Sequence, residues 1–317
     1  LQILCPRRTS SLAGGRGHYL EQIMRIDTIA SMIGAQVCGE ACVDVEWLLT
    51  DSRSLCFPES TLFFAIRTDR GDGHRYVRDL YERGVRAFVV NSVQEGLAGA
   101  VQLLVQDTLT ALQRLAERHR ESYDIPVIGI TGSNGKTVIK EWLYQMLSPD
   151  MAVTRSPRSY NSQIGVPLSV WGLNSNSQIG IFEAGISRPG EMAALQRIIQ
   201  PTIGVFTGLG PAHQENFQSM EQKRQEKMLL FKDCPVVFEA GDEADALERD
   251  RNLCARVCRH LGMGEEVIQE RLQRLEPVAM RLEVKQGRHG CTLINDTYNS
   301  DLSSLDIALD FMNRRPD

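Results

Sequence analysis

Ile125-Pro126-Val127-Ile128-Gly129-Ile130-Thr131-Gly132-Ser133-Asn134-Gly135-Lys136-Thr137 is the stretch on which the reading of the fold turns. Residues 125–131 form a short apolar run that suits a parallel strand buried on both faces. A glycine-rich turn follows at once, and a helix is expected from about Lys136 to Leu147. Strand, glycine turn and helix, in that order, let consecutive backbone N–H groups close around phosphate oxygens at a helix N-terminus. Gly132, Ser133, Asn134 and Gly135 would line that cradle. Lys136 would bring a point charge to the β- and γ-phosphates, and the Thr137 hydroxyl can ligate Mg²⁺. Only two residues separate Gly132 from Gly135, so the spacing departs from the common G-x-x-x-x-G-K-[ST]. That departure argues against a plain P-loop GTPase or kinase. The bland alternative is a glycine-rich turn with a surface lysine.

Working outward, further buried strands are expected at Ile179–Ala184, Ile203–Thr207, Val236–Phe238 and Cys291–Asp296. Helices at Glu191–Ile199 and Met220–Phe231 separate them. The second half therefore reads as a mostly parallel, doubly wound sheet, in which ligands bind beyond the carboxyl ends of the strands. Chemistry-bearing residues recur at those ends. Glu183, in Phe182-Glu183-Ala184-Gly185-Ile186-Ser187, can bind Mg²⁺, or it is a solvated or capping glutamate. His213 follows the next strand in Gly208-Leu209-Gly210-Pro211-Ala212-His213-Gln214-Glu215-Asn216-Phe217 and can bind a metal or orient a phosphate, or it is a polar loop residue. Lys223 and Lys227 share one helix face. Most such lysines are solvated, but Lys227 borders Met228-Leu229-Leu230-Phe231, where burial lowers an amine's pKa enough for modification. In Asn295-Asp296-Thr297-Tyr298-Asn299, Asp296 can hydrogen-bond a ribose, while Tyr298 and Asn299 offer a purine a stacking face and an amide edge. The same residues also read as a polar turn. Arg281 can pair with Glu283 or reach a phosphate.

The chain has 317 residues, with 35 Lys+Arg against 40 Asp+Glu. That length suggests two domains, and the composition is that of a folded, soluble globular protein. A net charge of -5 leaves no basic excess to suggest nucleic acid or an anionic membrane as the main partner. No apolar run is long enough for a membrane span, and residues 1–23, Gly/Arg-rich and aperiodic, lack the h-region of a secretory signal. They read as a leader or extension, and cytoplasm is the default compartment. The eight cysteines are scattered, which favours reduced thiols. Cys254 and Cys258, four apart on a helix, read as packing rather than zinc ligation. From a helix start near Asp27, taken as its N-cap, short strands (Thr61–Ile66, Ala87–Val90, Val101–Val105) alternate with helices (Tyr76–Arg83, Leu109–Glu121). This is a small α/β domain over 24–122, with a boundary near Ser122–Pro126.

Taken in order, these segments resemble the Mur ligases, the ATP-dependent amide-forming enzymes of bacterial peptidoglycan synthesis. Thr131-Gly132-Ser133-Asn134-Gly135-Lys136-Thr137 looks like the family's shortened phosphate loop. The resemblance makes Glu183 and His213 metal ligands, Lys227 the carbamylated lysine, and residues 295–299 the adenine and ribose contacts. It also implies a catalytic part for Lys136, Lys227 and His213. Thr50-Asp51-Ser52-Arg53 and Asp72-Gly73-His74 look like the family's uridine-nucleotide-binding domain, so Ser52, Arg53, Asp72, Gly73 and His74 become substrate contacts. Asn161, in Asn161-Ser162-Gln163-Ile164-Gly165-Val166-Pro167, joins them. Tyr298-Asn299 stands where the ligase adding the third amino acid has a tyrosine-alanine-histidine pattern.

The resemblance thus points to the member that joins D-alanyl-D-alanine to UDP-N-acetylmuramoyl-tripeptide through an acyl phosphate, using ATP and Mg²⁺, and to the form of it fused to an alanine racemase domain. The alternatives are the sibling that extends UDP-N-acetylmuramoyl-dipeptide and a nucleotide-binding fragment without catalysis. By the same resemblance, residues 123–317 form the central ATP-binding domain. That domain looks shortened near 232–252, where the family's histidine-asparagine ATP contact is not found and Asn252 is a weak substitute. The family's C-terminal Rossmann-like domain lies outside this chain.

Overall fold

The computed structural model describes residues 23–68, 71–210, 214–243, 245–286, 291–298 and 302–313. The backbone divides between Ser122 and Tyr123 into two compact units.

In the first unit, strands β1 (Gln36–Cys38), β2 (Trp47–Leu49), β3 (Thr61–Phe64), β4 (Ala87–Val90) and β5 (Val101–Leu104) form one sheet in the order β1-β5-β4-β3-β2. All neighbours are parallel except the edge strand β1, which runs antiparallel to β5. Helices α1 (Ile26–Ile33), α2 (Val77–Glu82) and α3 (Thr108–Arg120) accompany the sheet. Strands β3 and β4 are buried along their whole length, and Phe63 and Phe88 fill the core with Leu80, while Phe64 is buried on the other face of β3. Asp27 is not the N-cap of α1. The helix starts at Ile26 with Arg25 as its cap, and Asp27 sits in the first turn, where a carboxylate suits the positive end of the helix dipole and pairs with Arg25.

The second unit is built on β6 (Val127–Thr131), β7 (Val153–Arg155), β8 (Ile179–Glu183), β9 (Ile203–Phe206) and β10 (Val236–Glu239), ordered β7-β8-β6-β9-β10 and parallel throughout. Every residue of β6 and β8 is buried, as expected of central strands covered on both faces. The helices are α4 (Lys136–Leu147), α5 (Gly165–Val170), α6 (Met192–Ile199), α7 (Met220–Met228), α8 (Ala246–His260), α9 (Glu265–Gln273) and α10 (Leu302–Asn313). Helix α4 turns Ile139, Leu143 and Met146 inward, a three-to-four-residue stripe that meets Leu253, Val257 and Cys258 of α8. Cys254 and Cys258 are buried thiols there. Burial raises the pKa of both, to about 12 for Cys258, so they pack as small apolar groups. Helix α7 ends at Met228 and tightens into a 3₁₀ turn over Leu229–Phe231.

One strand expectation needs correction, and the short strands Gln36–Cys38, Trp47–Leu49 and Val153–Arg155 were not expected. Residues 153–155 form an edge strand of the parallel sheet although their run is too short to stand out. The expected buried strand at 291–296 is instead β12 (Thr292–Asn295), which pairs antiparallel with β11 (Glu283–Gln286) in a separate hairpin. Its two apolar residues lie between Thr292 and Asn295, too few to be covered on both faces, and Leu293 is 55% exposed. Among the described residues no helix is long and apolar enough to cross a membrane.

Candidate active site

Because β6, β8 and β9 are adjacent and parallel, their carboxyl ends emerge side by side, and the loops that follow them meet. The loop after β6 turns tightly at two glycines. Gly132 has φ +148° and Gly135 φ +82°, values that side chains rarely adopt. A Cβ on Gly132 would run into Thr207 Oγ1 just past β9, and one on Gly135 would come within 3.1 Å of Asp250 Oδ2. The loops are also stitched together. Ser133 donates its N–H to Gly208 O (2.9 Å) and its hydroxyl to Gly210 O (3.2 Å), and Thr207 Oγ1 donates to Asn134 O.

Lys136, the first residue of α4, folds back so that its ammonium donates to Gly132 O and Ser133 O, both at 2.9 Å. Lys227 reaches the same Gly132 oxygen from α7, at 3.0 Å. Two ammonium groups thus share one carbonyl. Burial, followed by the charges of Lys136 and Lys223, pulls the Lys227 pKa down from 10.5 to about 7. Lys223 is also buried, contrary to the common solvated face, and donates to Gly210 O.

One helical position beyond Lys136, the Thr137 hydroxyl lies 3.1 Å from Glu183 Oε2 and 2.9 Å from Ser159 Oγ. Asn161 closes the group. Its Nδ2 donates to Glu183 Oε2 at 3.4 Å and its carbonyl accepts from Gly185 N at 2.8 Å. Glu183 Oε1 is buried without a hydrogen-bond partner, 3.1 Å from the Lys140 ammonium in an ion pair. The donor set of Thr137, Ser159 and Glu183 is all oxygen and fits a hard divalent cation. Among the described residues no three His, Cys, Asp or Glu cluster. A single carboxylate suits Mg²⁺, which keeps several waters and commonly shares its ligands with substrate phosphates.

His213 and Asn299 lie outside the described residues. Arg281, Asp296 and Tyr298 are brought together at the β11–β12 hairpin. The Arg281 guanidinium lies 4.1 Å over the Tyr298 ring, and Asp296 Oδ1 accepts from Leu282 N at 3.2 Å. Arg281 does not pair with Glu283, whose carboxylate is taken by Lys285 and Asn295. Asn252 donates to Glu243 Oε1 at 3.0 Å.

In the first unit, Arg53 is exposed and forks onto Asp51, while Ser52 is buried and its carbonyl accepts from Arg83. Asp72 accepts from the His74 N–H at 2.9 Å and lies 2.6 Å from His74 Nδ1, and these bonds hold its carboxyl below the usual range. His74 Nε2 accepts from Asn91 N at 3.1 Å. Both ring nitrogens are therefore engaged inside the unit. Gly73 approaches the 65–66 backbone so closely that a Cβ would sit 2.8 Å from Ile66 N.

Residues 130–285 match the Mur ligase middle domain. The second unit thus contains a Mur ligase middle domain. Its relatives include the UDP-N-acetylmuramoyl-tripeptide–D-alanyl-D-alanine ligases of Bacillus subtilis, 34% identical over 63% of this chain and 44% of that protein, and of Synechocystis, 39% identical over 52% and 36%. The match thus spans less than half of these relatives' length. Among solved structures, MurF from Acinetobacter baumannii superposes with a TM-score of 0.84 at 21% identity, covering 93% of this chain and 77% of that one. MurF ligase from Thermotoga maritima in complex with ADP gives 0.74 at 22% identity, covering 85% and 75%. At these identities the likeness establishes the fold: this chain has the α/β architecture of those proteins' N-terminal and middle domains.

The sequence had pointed to the phosphate loop and Glu183, and both lie in this cluster. Lys140, Ser159, Thr207 and Asp250 were missed. Lys140 had one available signal, a basic residue three positions after Thr137 on the helix face that turns inward.

Proposed function

We propose that this chain supplies the nucleotide-sugar-binding part (residues 24–122) and the ATP-binding part (123–317) of a ligase that joins D-alanyl-D-alanine to UDP-N-acetylmuramoyl-tripeptide in the cytoplasm. The observation that carries the reading is the convergence of two lysine ammonium groups on Gly132 O, beside an all-oxygen cluster at the N-terminus of α4. A carboxylate and an amine do not condense in water, so the carboxyl carbon must first be made electrophilic. ATP supplies the phosphoryl group for that step and Mg²⁺ offsets its charge.

This chain's residues then do the positioning. Backbone N–H groups of the 132–135 turn other than that of Ser133, which is bonded to Gly208 O, would hold the phosphates, and Lys136 would turn from its loop carbonyls to phosphate oxygens. Thr137 and Glu183 would hold Mg²⁺. The neutral Lys227 amine would add to CO₂ and lose a proton, turning a repelling cation into an oxygen ligand that works with His213 at a second Mg²⁺. Arg281, Asp296, Tyr298 and Asn299 are proposed nucleoside contacts. Ser52, Arg53, Asp72, Gly73, His74 and Asn161 are proposed contacts to the UDP-linked peptide, the buried members acting by shaping the turn.

The test is product analysis by mass spectrometry after incubation with ATP, Mg²⁺, the tripeptide acceptor and D-alanyl-D-alanine. A pentapeptide product is expected. Extension of the dipeptide acceptor by a free amino acid would instead identify the sibling activity, and nucleotide binding with no amide product would mean a non-catalytic module.

A further inference from the structure

Lys140 is a lysine with no exposed surface, and Glu183, its partner, has none either. Taking two charges out of water costs several kcal/mol per ion, returned only where geometry and further hydrogen bonds are good. Here they are good. The Lys140 ammonium meets Glu183 Oε1 at 3.1 Å, Glu141 Oε1 at 3.0 Å and Ser156 O at 2.9 Å, and also donates to Arg158 O. Every polar direction of the ammonium is used, and none leads to solvent.

The arrangement is asymmetric about the carboxylate. Thr137 and Lys140 stand three apart on α4 and so share a face. The ammonium takes Oε1, while the hydroxyl takes Oε2 together with the Asn161 amide. The 156–159 segment reinforces this: Ser156 Oγ accepts from Glu183 N at 3.2 Å, and Ser159 Oγ touches Thr137.

We infer that Lys140 is a positioning residue for the divalent cation, fixing Glu183 by one oxygen so that the other is presented beside Thr137. The inference rests on the reading of Thr137 and Glu183 as the cation's holders. It separates two jobs in one carboxylate: Oε1 is anchored to the buried ammonium, and Oε2, beside the Thr137 hydroxyl and the Asn161 amide, is the oxygen offered to the cation. Partners that orient a metal ligand in this way are typically worth about 10–100-fold in metal affinity.

The experiment is a Mn²⁺ titration of the chain in the presence of ADP, followed by the EPR signal of free Mn²⁺, with ADP binding in EDTA measured in parallel. It compares wild type, Lys140→Met, Glu183→Gln and the double variant. Lys140→Met should raise the apparent Kd for Mn²⁺ roughly tenfold, leave ADP binding in EDTA within about twofold, and add no further loss in the Glu183→Gln background. Lys140→Gln, which keeps a donor but no charge, gives the same comparison if the methionine variant does not fold. Unchanged Mn²⁺ affinity, or the same tenfold loss added on top of Glu183→Gln, overturns the inference and leaves Lys140 a structural tie. If Glu183→Gln itself leaves Mn²⁺ binding unaltered, the reading of Glu183 as a cation holder fails and the inference falls with it.

Discussion

Thr137 Oγ1 and Glu183 Oε2, 46 residues apart in the chain, meet at 3.1 Å where helix α4 begins and strand β8 ends. Under the proposed function this hydroxyl and carboxylate would be two ligands of one hard cation. Thr137→Val keeps the shape and removes the hydroxyl. It should weaken ADP binding in the presence of Mg²⁺ by about tenfold and leave binding in EDTA unchanged, measured by isothermal titration. Equal losses in both conditions would mean that the hydroxyl serves the loop and not a cation.

Gly132 is the position at which the loop tolerates a side chain least. Its φ of +148° and the approach of Thr207 act together. Gly132→Ala should therefore cost about 2–4 kcal/mol of stability in urea denaturation and abolish detectable ADP binding. A variant within about 0.5 kcal/mol of wild type would show that the turn is not constrained as described.

Lys227 titrates near 7 because it is buried and faces Lys136 and Lys223. Its neutral fraction rises from about one tenth at pH 6 to about nine tenths at pH 8. A carbamate carbon signal in NMR with ¹³C-bicarbonate should accordingly be stronger at pH 8 than at pH 6 and absent in Lys227→Met. The stability linkage has a definite sign. The folded pKa lies below the unfolded value of 10.5, so the unfolded chain binds more protons between about pH 7 and that value, and stability rises with pH across the window. A pH-independent signal that survives Lys227→Met would place the carbamate elsewhere.

Asp250 is buried on α8, its Oδ1 has no hydrogen-bond partner, and burial raises its pKa from 3.8 to about 6. The folded state then holds the proton more tightly than the unfolded state. This contribution to stability is full below about pH 4 and is lost as pH rises through 6. Asp250→Asn should stabilise the protein by roughly 1–3 kcal/mol at pH 8 and by much less at pH 3.5, in urea titrations. Destabilisation at pH 8 would mean that the ionised carboxylate is needed beside Gly135.

The second unit's framework was legible because central parallel strands are continuous apolar runs and the glycine turn interrupts one of them abruptly. Residues 125–137 could be read as a strand, a turn and a helix start from composition alone. Edge elements carried less signal: Val153–Arg155 is three residues long, and Thr292–Asn295 mixes polar with apolar residues. The buried charges were hidden for another reason. Lys140 and Asp250 sit on helices where a charged residue ordinarily marks the solvent side, and only tertiary packing reverses that. His74 was visible as a candidate contact, but one of its two internal hydrogen bonds comes from Asn91, 17 residues away, which nothing local indicates.

The central claim is that a substrate carboxylate is activated by phosphoryl transfer before an amine attacks it. It is tested most directly with an acceptor tripeptide carrying ¹⁸O in its terminal carboxylate, incubated with ATP, Mg²⁺ and D-alanyl-D-alanine. The carboxylate oxygen that attacks the γ-phosphate leaves with it when the amide bond forms. The account predicts inorganic phosphate carrying one ¹⁸O for each amide made. Amide formation with unlabelled phosphate, or phosphate release that needs no acceptor, would contradict it.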